Sequence, residues 1–167
     1  MIGGTYAIPR IAFTVDGENL ALANGDIIRV RDVEDQRFVN TLRGDNSIYS
    51  LGVSPDGRSI AAGDTASVVF TWDLSSEEPF NKLTIQKDEG NGVSTLVWDV
   101  NFSPDGSLVA AAGGDGIINI WDVTTGELIT SLAEHHKAVS AVSFSPDSRT
   151  LASGGLDGTI YIWQTSR

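Results

Sequence analysis

A four-residue phrase, Ser-Pro-Asp-Gly, recurs through this 167-residue chain, and each copy is followed about fifteen residues later by an aromatic-acidic pair. Full copies stand at Ser54-Pro55-Asp56-Gly57 and Ser103-Pro104-Asp105-Gly106, with worn copies at Thr14-Val15-Asp16-Gly17 and Ser145-Pro146-Asp147-Ser148. The echo is Trp72-Asp73 and Trp121-Asp122, degraded to Arg31-Asp32 and Trp163-Gln164. Successive turn aspartates, Asp16, Asp56, Asp105 and Asp147, lie 40, 49 and 42 residues apart. Proline presets φ for a type I turn, aspartate caps it, and glycine accepts the positive φ that returns the chain as a hairpin. A chain punctuated in this way is committed to short antiparallel strands.

Between the turns, β-rich runs fall into one frame. First strands are predicted over 8–13, 48–53, 97–102 and 139–144. Second strands follow over 20–23, 59–63, 108–112 and 150–154, and third strands over 27–31, 68–72, 117–121 and 160–163. A fourth strand is predicted only three times, over 37–42, 80–85 and 128–132. Units of four short strands cannot bury both faces alone, so they must stack around an axis. The units are expected to span approximately 1–42, 43–85, 86–132 and 133–167.

A strand-rich unit repeating every forty-odd residues and ending in Trp-Asp resembles the WD-repeat β-propeller family over essentially the whole chain. The resemblance implies an all-β fold of four blades. It also implies a role in binding other proteins, since the family carries no common chemistry. Four wedges of ordinary geometry leave two sheet faces bare, so an eight-bladed ring closed by a homodimer is expected, with a compact four-bladed monomer as the alternative. In this family an N-terminal segment often completes the last blade. Here only Met1-Ile2 align with a fourth strand, which predicts a three-stranded last blade with an open edge.

His136, Ser153, Asp157 and Trp163 occupy positions similar to the family's structural hydrogen-bond tetrad. A Ser, His and Asp set also invites comparison with a nucleophilic triad. The indole as fourth member and the expected burial favour structure, so no catalytic residue is assigned. The corresponding histidine positions hold Thr5, Asp45 and Ser94 in the other units, the serine positions hold Ala62 and Ala111, and Ala66 replaces the turn aspartate of the second unit.

Large side chains near the start of the first strands, Tyr49 and Trp98 with Asp99 beside them, mark a candidate partner-binding rim, because exposed aromatics anchor interfaces. The longest repeat adds residues 86–94 next to Trp98, bringing Lys87, Asp88 and Glu89 to the same rim. A net charge of −11 disfavours a nucleic-acid or anionic-membrane surface. There are no cysteines, the pair His135-His136 is a poor metal candidate because neighbouring residues point apart, and 113–116 is a turn between strands rather than a phosphate loop. No metal or cofactor is expected. Neither a basic, apolar leader nor a run of membrane-spanning length is visible, and a cytoplasmic location is expected. The reading is a non-catalytic protein-interaction or scaffold module. The alternatives are a self-assembling structural propeller and a piece of a longer WD-repeat protein.

Overall fold

Each turn phrase closes its hairpin through the same three bonds in the computed structural model of the chain, which describes residues 10–74, 81–84 and 96–165. In the second copy Ser54 Oγ donates to Asp56 Oδ1 at 2.5 Å and accepts the Ser59 amide at 2.9 Å. The same carboxylate oxygen accepts the Arg58 amide at 3.0 Å. Thr14 with Asp16, Ser103 with Asp105 and Ser145 with Asp147 repeat this network. The fourth turn residue has φ of 74° at Gly17, 71° at Gly57 and 73° at Gly106. Ser148 takes φ 60° instead, and its hydroxyl accepts the Asp105 amide of the neighbouring unit at 3.1 Å. That bond offsets the strain of a side chain in the left-handed region.

Fifteen strands follow in chain order among the described residues. The first sheet is β1 (Arg10–Phe13), β2 (Asn19–Asn24), β3 (Ile27–Asp32) and β4 (Phe38–Arg43). The second is β5 (Ile48–Val53), β6 (Ser59–Asp64), β7 (Val68–Asp73) and β8 (Asn81–Thr84). The third is β9 (Val97–Phe102), β10 (Leu108–Gly113), β11 (Ile118–Asp122) and β12 (Leu128–Leu132). The fourth holds β13 (Val139–Phe144), β14 (Thr150–Gly155) and β15 (Ile160–Gln164), and no further strand joins it among the described residues. All pairings are antiparallel meanders. The third strand of the third sheet starts one residue later than predicted, because the Ile117 carbonyl accepts the Gly113 amide within the turn. Residues 8, 9, 80 and 85, and with them the ends of two predicted strands, lie outside the described residues, as does the Met1-Ile2 segment.

The sheets stack in sequence order. The first strands pack side by side, β1 on β5, β5 on β9 and β9 on β13, and so line one axis. Three apolar layers fill the junctions. Ala21, Ile28, Val30 and Leu42 meet Ile60, Phe70 and Trp72. Ala61, Val69 and Leu83 meet Val100, Val109 and Trp121. Ala110, Ile118 and Ile120 meet Val142, Phe144 and Leu151. Small residues on the second strand let the next sheet approach, and branched residues on the third fill the space. The side-chain carboxamide of Asn40 donates to the Leu74 carbonyl and that of Asn81 to the Val123 carbonyl, each at 2.8 Å, tying the fourth strand of one sheet to the turn of the next. No comparable packing joins β13 to β1 among the described residues. The outer face of the first sheet leaves Ile11 and Phe13 exposed, and that of the last leaves Ile160 and Ile162 exposed.

Candidate functional site

Two clusters of polar and aromatic side chains sit at the end of the stack where the first strands begin. In the fourth sheet, the indole of Trp163 donates to Ser153 Oγ at 2.8 Å, and Ser153 Oγ lies 2.9 Å from Nε2 of His135. His135 Nδ1 lies 3.0 Å from Asp157 Oδ2. The histidine of this set is therefore His135, which corrects the assignment to His136. The ring of His136 is exposed, and its backbone amide donates to Asp157 Oδ2 at 2.9 Å. Adjacent side chains point apart, so only one of the pair turns inward, and His135 is the one that meets Ser153 and Asp157. Gly155 makes the room: a Cβ there would stand 2.4 Å from His135 Nδ1. Tyr161 closes the other side, meeting the imidazole edge to face at 4.8 Å.

One tautomer satisfies every atom of the set, with Nδ1–H donating to Asp157 and Nε2 accepting from Ser153. Thr159 donates its hydroxyl to Asp157 Oδ1 at 2.6 Å and its amide at 3.0 Å. The Thr159 hydroxyl first, then backbone amides and His135, hold the Asp157 carboxyl well below the usual carboxylate range. Ser153 is 2% exposed, and its oxygen is occupied by both the indole and the imidazole. A nucleophilic serine needs access to a carbonyl and a nearby oxyanion hole. Enclosed on all sides, this hydroxyl has no such access.

The other sheets show what the set replaces. In the second, Ala62 leaves the buried Trp72 indole N–H without a hydrogen-bond partner. Asp64 takes over the turn, a role that the sequence reading missed by looking for it at Ala66. Its Oδ1 accepts the Ala66 and Val68 amides at 2.8 Å, and its Oδ2 accepts from Asn46 at 2.9 Å. The signal was the Gly-Asp pair itself, Gly63-Asp64, ending β6. Asp45, placed at the histidine position by the sequence reading, instead forms an exposed ion pair with Lys82.

The second cluster is the rim. Tyr49 and Trp98 are the second residues of β5 and β9, both half-buried, and their rings meet edge to face at 5.9 Å. Arg10, opening β1, lays its guanidinium over the Tyr49 ring at 4.9 Å while its Nε donates to the Tyr49 carbonyl at 2.5 Å. Asp99 accepts the Val142 amide of β13 at 2.9 Å. Burial pushes the Asp99 carboxyl above its usual range, against the backbone bonds and the Arg10 charge. Three consecutive sheets thus contribute to one surface around the axis. Lys87, Asp88 and Glu89 lie outside the described residues.

The opposite end carries the turns. A cleft of about 410 Å³ lies between the second and third, lined by Asp56 and Asp105, and one of about 390 Å³ between the third and fourth, lined by Asp105 and Asp147. Those carboxylates are engaged by their own turn hydroxyls and amides. Among the described residues no three His, Asp or Glu side chains are grouped to hold a metal ion.

A family model described as "WD domain, G-beta repeat" matches the chain three times, over residues 36–73, 84–122 and 126–164. The first and third matches run from a fourth strand through the first three strands of the following sheet, so the repeat of sequence is offset by one strand from the sheet. Strands β1 to β3 precede the first match. Comparison with curated proteins finds no match.

Proposed function

Since the chain belongs to the WD-repeat family, whose members generally mediate protein–protein interaction or scaffolding, we propose that it is a non-catalytic interaction module whose partner-facing surface is the axial rim. The observation that carries this reading is the Tyr49–Trp98 pair. Two large aromatics from the first strands of consecutive sheets stay partly exposed at the axis, where Ser140 stands in the fourth sheet. Aromatic side chains of this kind supply large contact area with little conformational entropy to lose. Proteins captured by the wild type and by Trp98→Ala should differ, with both proteins folded. Identical partner sets would reduce the rim to scaffold.

A second reading, self-association into an eight-bladed ring, is favoured by the bare faces at the two ends of the stack. Ile160 and Ile162 are 77% and 65% exposed, whereas Ile118 and Ile120 at the same positions of the third sheet are 0% and 2%. Ala152 and Gly154 beside them repeat the small residues Ala110 and Ala112, so the last sheet keeps a surface built to receive another blade. A second copy would set its first sheet, with Ile11 and Phe13, on that surface, and a two-fold axis would cover both faces at once. Further blades of a longer chain would cover them equally. Light scattering behind size exclusion separates the cases: a dimeric mass supports the ring. A monomer at micromolar concentration whose unfolding ignores dilution removes it.

A further inference from the structure

We propose that the rim between Trp98 and β13 is a socket for the guanidinium of one partner arginine, held against the indole and by the carboxylate of Asp99. The proposal rests on the rim being the partner-facing surface and narrows what the partner must present there. The molecule already holds one guanidinium in this way, one sheet back. Arg10 stacks over Tyr49 at 4.9 Å and donates to a backbone carbonyl of the same strand. Trp98 stands at the equivalent position of β9, the first strand of the next sheet, and among the described residues no Lys or Arg stacks on it. An indole is the best of the aromatic faces for a cation.

Asp99, the next residue, supplies what the Tyr49 site lacks. Its equivalent in β5 is Ser50, whose hydroxyl is spent on the Val97 carbonyl at 2.9 Å. The Asp99 carboxylate accepts backbone amides from Val142 and Val100, which leaves acceptor capacity on its two oxygens. Arg10 is the nearby cation, but its guanidinium is committed to the tyrosine. No Lys or Arg forms an ion pair with Asp99 among the described residues. A half-buried carboxylate of this kind carries a desolvation cost that an incoming cation relieves. The approach is open on the β13 side, where Ser140 and Ala141 are small and exposed. A guanidinium suits the place better than an ammonium, because its planar fork stacks on a ring while donating to a carboxylate.

The test titrates the capped tripeptide Ala-Arg-Ala into the full chain and follows the Trp98 indole resonance, assigned by its loss in Trp98→Phe. A saturable shift is expected, about tenfold or more weaker for Asp99→Asn and for the citrulline peptide, whose neutral side chain has the same shape. The carboxamide oxygen in Asp99→Asn still accepts the Val142 amide, so this variant should retain the fold, which the remaining resonances report. No saturable shift, an equal response to citrulline, or a shift indifferent to Asp99→Asn would overturn the proposal. Equal binding of Ala-Lys-Ala would overturn its assignment to a guanidinium. Failure here is distinct from failure of the rim itself. Partner capture that is lost in Trp98→Ala, without an arginine response, removes the socket and leaves the interaction surface.

Discussion

His135 and His136 are chemically identical neighbours, yet removing each ring should have different consequences. His135 is enclosed between Ser153, Asp157 and Tyr161, so His135→Ala leaves buried polar atoms unpaired and should cost about 1–3 kcal/mol. The His136 ring is exposed and only its backbone holds Asp157, so His136→Ala should stay within about 0.5 kcal/mol of wild type. Urea midpoints of the two variants decide the order, and a larger loss at His136 would reverse the assignment of the inward ring. Asp157 adds a pH dependence. Its carboxyl is held low in the folded chain, so its stabilisation is fully present above the unfolded carboxylate range, about pH 4. That stabilisation is lost as the pH falls from there through the folded-state value. Wild type should therefore lose stability between neutral and acid pH more steeply than Asp157→Asn, which lacks the titrating group. Parallel curves for the two proteins would show that Asp157 is not the group concerned.

At the scale of the element, the turn phrase is a hydrogen-bonded unit whose parts depend on one another. Ser103 is fully buried, and its hydroxyl both donates to Asp105 and accepts the Leu108 amide. Ser103→Ala leaves that amide without its partner and should cost about 1–3 kcal/mol in denaturant titration. A loss below a few tenths of a kcal/mol would mean that the turn holds without its serine. The other element with a testable consequence is β15. Thr165 donates to the Arg149 carbonyl and Gly155 to the Thr159 carbonyl, so the amides of Tyr161 and Trp163 face β14 while those of Ile160 and Ile162 face away. In a dilute sample the first pair should exchange slowly and the second quickly. Strong protection of Ile160 and Ile162 would show that another strand covers this edge.

For the whole molecule, the decisive feature is that an order of stacking built by three equivalent junctions ends, among the described residues, on two unmatched faces. If a second copy covers them, Ile162→Glu should convert a dimer into a monomer while leaving the far-ultraviolet circular dichroism unchanged, because Ile162 is 65% exposed within one chain. The same change at its equivalent, Ile120, should unfold the chain, since it buries an unpaired carboxylate. A wild type that is already monomeric, or a variant that remains dimeric, would remove these faces from the assembly.

Much of this architecture is local chemistry and was therefore legible in the residues alone. The turn phrase dictates its own hairpin, because Ser, Asp and Gly satisfy one another within six positions, and the β-rich runs between turns place the strands to within a residue or two. The apolar faces of units of four short strands likewise announce that those units must stack. What local chemistry does not carry is the choice among equals at long range. Nothing in the pair His135-His136 says which ring turns inward; Gly155 and Asp157, about twenty residues on, decide it. The takeover of the second turn by Asp64 depends on Asn46 reaching it from another connection. Asp99 reads as a solvated carboxylate until β13 packs against β9, offers it the Val142 amide and removes the water around it. Each of these outcomes is set by which backbone comes within hydrogen-bond reach, a distance that exists only once the sheets have stacked.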